Sequence, residues 1–537
     1  MKIRTDILRV YKSLHTWVGI SAGLFLFIAF FAGALTMFKQ PIDRWISPPQ
    51  QVLSTIEGVQ YDQLIKQVLK LHPAARSEFT IHLQQHENIT APITWQEEES
   101  GRLLNLSTQR WHATLDQNAT LQAEQILPSA LAELIDLLHR TAGVPGVFGH
   151  DYFGVYLLGV VSILYFLALV SGLIILLPTL VKDFLAVRDG KNKKRFWLDA
   201  HNVIGVTSLP FHIMISLTVI VFAFHDVFYD SLNNVVYNEP VEFTLPSKQV
   251  VTPPLEKLLR VEQILKKIKQ EAPDFKVTEL LFLGLDTPQP RLRASIYNPN
   301  YVVNGPITGY IGIDPFTGNT TDTSMLPTKA NSWSQIVSTL FALHFGSYGG
   351  DLVRWVYFFL GISGSFLFYS GNLLWIESRR KKQKANLSNA AAQTTSTKLM
   401  ASLTVGVCLG SIAAIAMTLV VGKWAYPWVN NINYFYLLTY YVTFIGAIAW
   451  AFYMGAAKSA VHLLRLCSLS ALLIPLTSIL AYFVPGLNIW TNLSVATLSV
   501  DGTALGFAVI FWYLAKRTAY RVQNGTKDSV WSNQPLI

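Results

Sequence analysis

LHTWVGISAGLFLFIAFFAGAL (residues 14–35) and AHNVIGVTSLPFHIMISLTVIV (residues 200–221) are written on one plan. Each places a histidine near its start and a glycine four residues later (His15–Gly19, His201–Gly205), then runs on as one apolar stretch. A helix crosses the hydrocarbon core of a bilayer with roughly 20 apolar residues. Both stretches therefore read as membrane spans. Reading outward from them at the same hydropathy gives eight spans: 16–38, 152–178, 202–226, 352–376, 400–421, 434–455, 460–483 and 494–515.

The composition agrees. The 537 residues are 51% apolar and 14% charged, which suits a polytopic membrane protein better than a soluble one. The net charge of +9 does not point to nucleic acid, because the basic clusters flank span ends. They are the N-terminal MKIRTDILRVYK, residues 182–197, residues 377–384, and Lys516, Arg517 and Arg521. If the spans alternate, all four lie on one side, which the positive-inside rule makes the cytoplasm, together with both termini. The two cysteines, Cys408 and Cys467, sit inside apolar stretches and offer no disulfide framework, CxxC or zinc site. Ala32-Gly33-Ala34 resembles a peptidase site, but the near-copy at 200–221 is mid-chain, so the first span is expected to be retained.

The expected organisation is residues 1–38 (first span), 39–150 (outer domain), 151–226 (two spans and their inner loop), 227–350 (second outer domain), 351–384 (fourth span with a basic end), 385–398 (linker) and 399–537 (four more spans). In the second outer segment, VEQILKKIKQEAP (261–273) has helical spacing, while KVTELLFLGL, RLRASIYN and ITGYIGIDPFTGN read as strands closed by a Pro-Gly turn. In the first, YDQLIKQVLKLHP (61–73) is an amphipathic helix, and FTIHLQQ, APITWQ and RLLNLSTQ read as strands. Each segment reads as a small helix-on-sheet domain.

The first four spans divide into two parallel halves. Each half has an inner-side histidine (His15, His201), a span, an outer domain, an outer-side histidine (His139 in LLHRTAG, His344 in ALHFGSYGG) and a second span. In a pseudo-two-fold four-helix bundle this gives one histidine pair per leaflet. His15–Gly19, His139–Gly143 and His201–Gly205 share the spacing that puts both residues on one helix face; His344 departs from it. A glycine one turn from an imidazole leaves a flat slot. Two imidazoles across such a slot can ligate a haem iron from both sides. His212 follows His201 by about three turns, roughly 16 Å, and is a further candidate haem contact. A proton path is the competing use of such intramembrane histidines. His72, His82, His86, His112, His150, His225 and His462 read as interfacial or structural.

LHTWVGISAGLFLF (14–27), LLHRTAG (137–143), LDAHNVIGV (198–206) and LHFGSYGG (343–350), followed by a span ending LLW (373–375), together resemble the PepSY-associated transmembrane family, also called iron-regulated membrane proteins. The segment ending IDPFTGN (313–319) resembles a PepSY domain. The resemblance implies a four-helix core with two periplasmic PepSY-like α+β domains. The four C-terminal spans are additional to it. Some members of the family are di-haem b reductases of the bacterial inner membrane that reduce ferric siderophores on the periplasmic side. The family's histidines map onto His15, His139, His201 and His344 as axial ligands of two haem b groups.

The electron donor is expected to be quinol or a partner reductase, since no GxGxxG follows a strand on the inner side. Asp501, in the last span, reads equally as a proton carrier or an interfacial residue. Trp111, Tyr301, Tyr310 and Tyr348 are candidate aromatics above the outer haem, with core or belt roles as the plainer reading. Two rival functions remain: a PepSY regulatory or peptidase-inhibitory protein with the spans as anchor, and a transporter without haem.

Overall fold

The computed structural model describes residues 4–50, 53–84, 89–97, 101–184, 186–188, 193–232, 253–302, 308–381, 392–526 and 528–532. The chain forms two compact units, a helical one of residues 1–48, 129–224 and 357–537 and a sheet-bearing one of residues 49–128 and 225–356.

The helical unit begins with α1 (Thr5–Thr36) and the short amphipathic α2 (Lys39–Ile46), which buries Ile42, Trp45 and Ile46. Later come α4 (Leu131–Thr141), α5 (Phe153–Leu176), α6 (Leu180–Asp183), α7 (Lys193–Thr207) and α8 (Leu209–Leu232). It is completed by α11 (Gly350–Ser378), α12 (Thr395–Ala425), α13 (Ile432–Phe483) and α14 (Val495–Asn524). Two-residue strands β5 (Val147–Phe148) and β6 (Asp151–Tyr152) pair just before α5. Among the described residues seven helices are long and apolar enough to cross a membrane: α1, α5, α8, α11, α12, α13 and α14. The protein is a multi-pass membrane protein.

Eight spans were expected, and the difference lies in α13. Its 52 residues hold both the sixth and the seventh, separated at Gly455, whose φ of 75° and ψ of 158° are closed to an L side chain. Both arms pack on α12. Gly406 and Gly410 of α12 admit Ile448 and Ala447 of the first arm, and the Cys467 thiol of the second arm donates to the Leu409 carbonyl at 3.3 Å. The third expected span, 202–226, is broken: α7 stops at Thr207 and α8 starts at Leu209. Pro210 fits only the first turn of a new helix, where its missing N–H costs nothing. His201 and His212 therefore sit on two helices rather than three turns apart on one. Ala32-Gly33-Ala34 is a packing surface, with Ala32 and Ala34 buried and a Cβ added to Gly361 of α11 only 2.9 Å from that of Ala34. Of the expected linker, residues 385–391 lie outside the described residues, and α12 already begins at Thr395.

In the sheet-bearing unit the two expected domains share one sheet. Its first half is α3 (Val59–Leu71) followed by β1 (Glu78–His82), β2 (Ile93–Gln96), β3 (Arg110–Leu115) and β4 (Leu121–Ile126). The second is α9 (Val261–Glu271) followed by β7 (Lys276–Leu283), β8 (Arg291–Tyr297), β9 (Gly309–Ile313) and β10 (Thr320–Asp322), then α10 (Ser332–Phe345). Pairing of β1 with β7 fuses them in the order β10-β9-β8-β7-β1-β2-β3-β4, antiparallel throughout. At the seam Phe79 lies opposite Phe282, with rings stacked at 4.6 Å. Leu64, Ile65 and Val68 of α3 and Val261, Ile264 and Ile268 of α9 join one core beneath that sheet. The Asp62 carboxylate accepts the Val261 N–H at 2.9 Å and ties one half's helix to the other's. RLLNLSTQ (102–109) is no strand: the Asn105 side chain accepts the N–H groups of Ser107 and Thr108, a local turn that outcompetes a ladder, and the strand starts at Arg110.

Candidate functional site

Four helices of the helical unit bring His15 and His201 together. His15 is on α1 and its ring meets α5, where Nδ1 donates to the Ala168 carbonyl at 2.8 Å. His201 is on α7 and meets α11, with Nδ1 3.1 Å from Ser370 Oγ. The Ser370 hydroxyl donates its own proton to the Leu367 carbonyl at 2.8 Å, so it accepts from the imidazole. Both rings thus carry a proton on Nδ1 and a lone pair on Nε2. The ring centroids are 6.2 Å apart, with planes at 83°.

The partner helices repeat a Ser-Gly pair. Ser171 Oγ lies 3.4 Å from His15 Nδ1, and a Cβ on Gly172 would fall 2.9 Å from His15 Cε1. Ser370 contacts His201, and a Cβ on Gly371 would fall 3.4 Å from His201 Cε1. The cradle glycines therefore face the histidines from other helices, which the sequence reading missed. The signal was present as Ser171-Gly172 in the second span and Ser370-Gly371 in the fourth. The expected slot glycines stand in less crowded surroundings. An added Cβ on Gly19 meets nothing within 4 Å, and one on Gly205 meets only Leu367 at 3.6 Å. Gly143 is not on a helix face at all: α4 ends at Thr141, Ala142 is left-handed, and Gly143 has φ +73°. Its i,i+4 relation to His139 does not hold.

His139 stands in the last turn of α4 and packs on α1. Its Nδ1 donates to the Ala29 carbonyl at 2.8 Å, and a Cβ on Gly33 would be 2.6 Å from that nitrogen. The proton is again on Nδ1. His344 belongs to the other unit, in the last turn of α10, buried beside Phe345 and followed by left-handed Gly346. Both outer-side histidines thus end a helix that closes on a left-handed residue.

His212, on α8, is fully buried and neither ring nitrogen has a hydrogen-bond partner. It is caged by Phe30, Tyr165 and Phe211, with ring centroids 5.6–6.0 Å away, and a Cβ on Gly364 would be 3.1 Å from it. The Tyr165 hydroxyl and Asn372 Nδ2, in the same four-helix interior, are also buried without partners.

Beside the pair, Asp199 of α7 is bound by Arg188 and Arg195 at 2.8–3.1 Å. Burial alone would raise its carboxyl, but the hydrogen bonds from Arg188 and the charges of both arginines hold it below the usual carboxylate range.

Five of the other histidines have protein partners. His82 bridges Glu279 and Thr94 at 2.9 Å, and His72 packs on Trp95 and Trp111. His112 lies 3.3 Å from Thr90 Oγ1; burial, then Arg110 and His82, push it down to about 4. His225 pairs with Asp226, and His462 accepts from the Trp450 indole at 3.2 Å. His150 sits exposed beside β6, and His86 lies outside the described residues. No group of three or more metal-binding side chains occurs among the described residues.

The candidate aromatics are in use. Trp111 donates to Glu97, Tyr301 packs on Phe275, Tyr310 lies under Arg293, and Tyr348 has protein contacts. Asp501 accepts from the Trp45 indole at 2.9 Å and from Ser478 at 3.0 Å, and the buried Lys423 ammonium rests 3.7 Å over that indole.

The donor set suits a metal macrocycle. His15 and His201, with ring centroids 6.2 Å apart and a lone pair on each Nε2, are the residues that would hold such a group, and imidazole is a common ligand of haem iron. Ligating histidines characteristically donate their other N–H to a carbonyl or similar acceptor, as both do here. A family profile, the PepSY-associated TM region, matches residues 12–378, more than half of the chain. No curated protein matches it.

Proposed function

Since the chain belongs to the PepSY-associated TM region family, we propose that it is a di-haem b reductase of the bacterial inner membrane, carrying electrons to a ferric siderophore on the periplasmic side, with both termini cytoplasmic. The observation that supports this reading most is the His15–His201 pair: two facing imidazoles, each fixed as the Nδ1–H tautomer, each opposite a Ser-Gly cradle. His15 and His201 would hold one haem. His139 and His212 of the helical unit are the candidate ligands of the second.

When bound, haem supplies one-electron redox chemistry. The chain's residues do the rest. Ala168 and Ser370 orient the imidazoles and keep the Nε2 lone pairs directed to ligation. Gly172 and Gly371 let the partner helices approach. Packing of α1, α5, α7 and α11 around the pair would set the solvent exposure of a group held there, which tunes its potential. Reduction of ferric iron loosens its hard oxygen chelators and releases the siderophore. Electrons enter from quinol or a partner reductase.

A pyridine haemochrome assay on the purified full chain tests the reading. Two haem b per chain and a dithionite-reducible α-band are expected. A colourless pure protein would overturn it, in favour of a PepSY regulatory anchor or a haem-free transporter.

A further inference from the structure

The helices beyond the family match have a task the sequence left open, and the bonds around α4 point to it. α4 is poorly made to hold itself. Its N-cap residue is Ala130, which offers no side-chain oxygen, and it stops on Ala142, an alanine forced to φ +50°. Ser129 Oγ accepts the Leu131 N–H and Thr141 Oγ1 the Gly143 N–H, and α13 bonds the residues that flank both ends. Asn433 Oδ1 accepts the Ala130 N–H at 2.8 Å, and Ser129 donates to the Tyr436 hydroxyl at 3.4 Å. At the other end the Tyr441 hydroxyl donates to the Gly143 carbonyl at 3.0 Å. The buried Tyr440 hydroxyl lies 3.7 Å from where a Gly143 Cβ would be, so that turn is packed as well as bonded. Lys39 of α2 binds Glu133 at 2.7 Å between those two ends. A single arm of α13 therefore grips both ends of the short helix that presents His139 to α1.

We propose that the first arm of α13 is a positioning clamp for α4: Asn433 and Tyr441 hold its two ends so that the His139 imidazole stays fixed against Ala29 and Gly33. Asn433 and Tyr441 are positioning residues, since the bonds that carry the argument run to the two ends of α4. The link to a haem potential rests on the proposed ligand role of His139; the clamp itself does not.

The test uses the full chain in lipid nanodiscs, as Asn433→Ala, Asn433→Asp and Tyr441→Phe. Hydrogen–deuterium exchange of peptides covering residues 131–141 should quicken about fivefold in Asn433→Ala and in Tyr441→Phe, the scale of one lost capping bond. Asn433→Asp, which keeps the acceptor oxygen, should restore slow exchange. In the haem-loaded protein, the midpoint potential of one haem should shift in both variants while the other stays put. Unchanged exchange of α4 in both variants would overturn the clamp. Faster exchange with both potentials unmoved would overturn the positioning of His139. A wild-type protein without haem would remove the reductase reading, yet the exchange experiment would still decide the clamp.

Discussion

His15 and His201 face one another across 6.2 Å although one stands on the first helix and the other on the seventh. Neither ring is held by its own helix: one hangs on the Ala168 carbonyl and the other on the Ser370 hydroxyl. The second and fourth spans of the family region thus act as holders for histidines on the first span and on α7.

If that pair grips a haem, His15→Ala and His201→Ala should each lower haem content by about half and leave the other haem in place, because each variant removes a residue that would hold only one of the two groups. Haemochrome titration measures this. Unchanged content in both variants would rule the pairing out.

Gly172 and Gly19 separate the two accounts of the cradle. A side chain at Gly172 would strike His15 Cε1 at 2.9 Å, whereas one at Gly19 meets nothing within 4 Å. Gly172→Val should cost as much haem as His15→Ala, with normal accumulation of protein, and Gly19→Ala should cost none. The reverse order would favour the i,i+4 slot.

His112 makes the sheet-bearing unit sensitive to acid. Its folded value, about 4, lies below the ordinary value of 6.5, so the fold favours the neutral ring. Its stabilisation is complete above the unfolded value and is lost as pH falls from there towards 4. Between pH 7 and pH 5 the loss is about 2 kcal/mol. Thermal unfolding of the full chain should show a fall in midpoint over that window that shrinks in His112→Gln. An identical fall in the variant would assign it to other groups.

Trp45 connects α2 to the C-terminal helices through Lys423, Ser478 and Asp501. Trp45→Ala removes the ring and the donor together and should cost about 3–5 kcal/mol. Trp45→Phe keeps a ring face under the ammonium and loses only the N–H, so about 1–3 kcal/mol is expected. Chemical denaturation in detergent ranks the two. A wild-type midpoint for Trp45→Ala would show that this junction contributes nothing.

What the sequence determined by itself was everything carried by local pattern. Apolar runs of bilayer length marked the membrane helices, and the two spans merged in α13 were legible as separate runs because only Gly455 divides them. The helical spacing of Val261, Ile264 and Ile268 marked α9, and the Pro-Gly turn after Ile313 ended β9 correctly. The ordered fragments from His15 to His344 carried the family. Local pattern failed where a side chain competed with its own backbone, as Asn105 does in 102–109, and where proline restarted a helix at 209.

Tertiary structure alone decided the partners. Nothing near His15 in the sequence names Ala168 or Gly172, and nothing near Phe79 names Phe282, the residue that fuses two apparent domains into one sheet. Trp45 meets Asp501, and Asn433 meets Ala130, across hundreds of residues. Burial, hydrogen-bond satisfaction and close helix approach are properties of surfaces brought together by folding. A single chain position shows what a residue can do, and its neighbours in space settle which of those things it does.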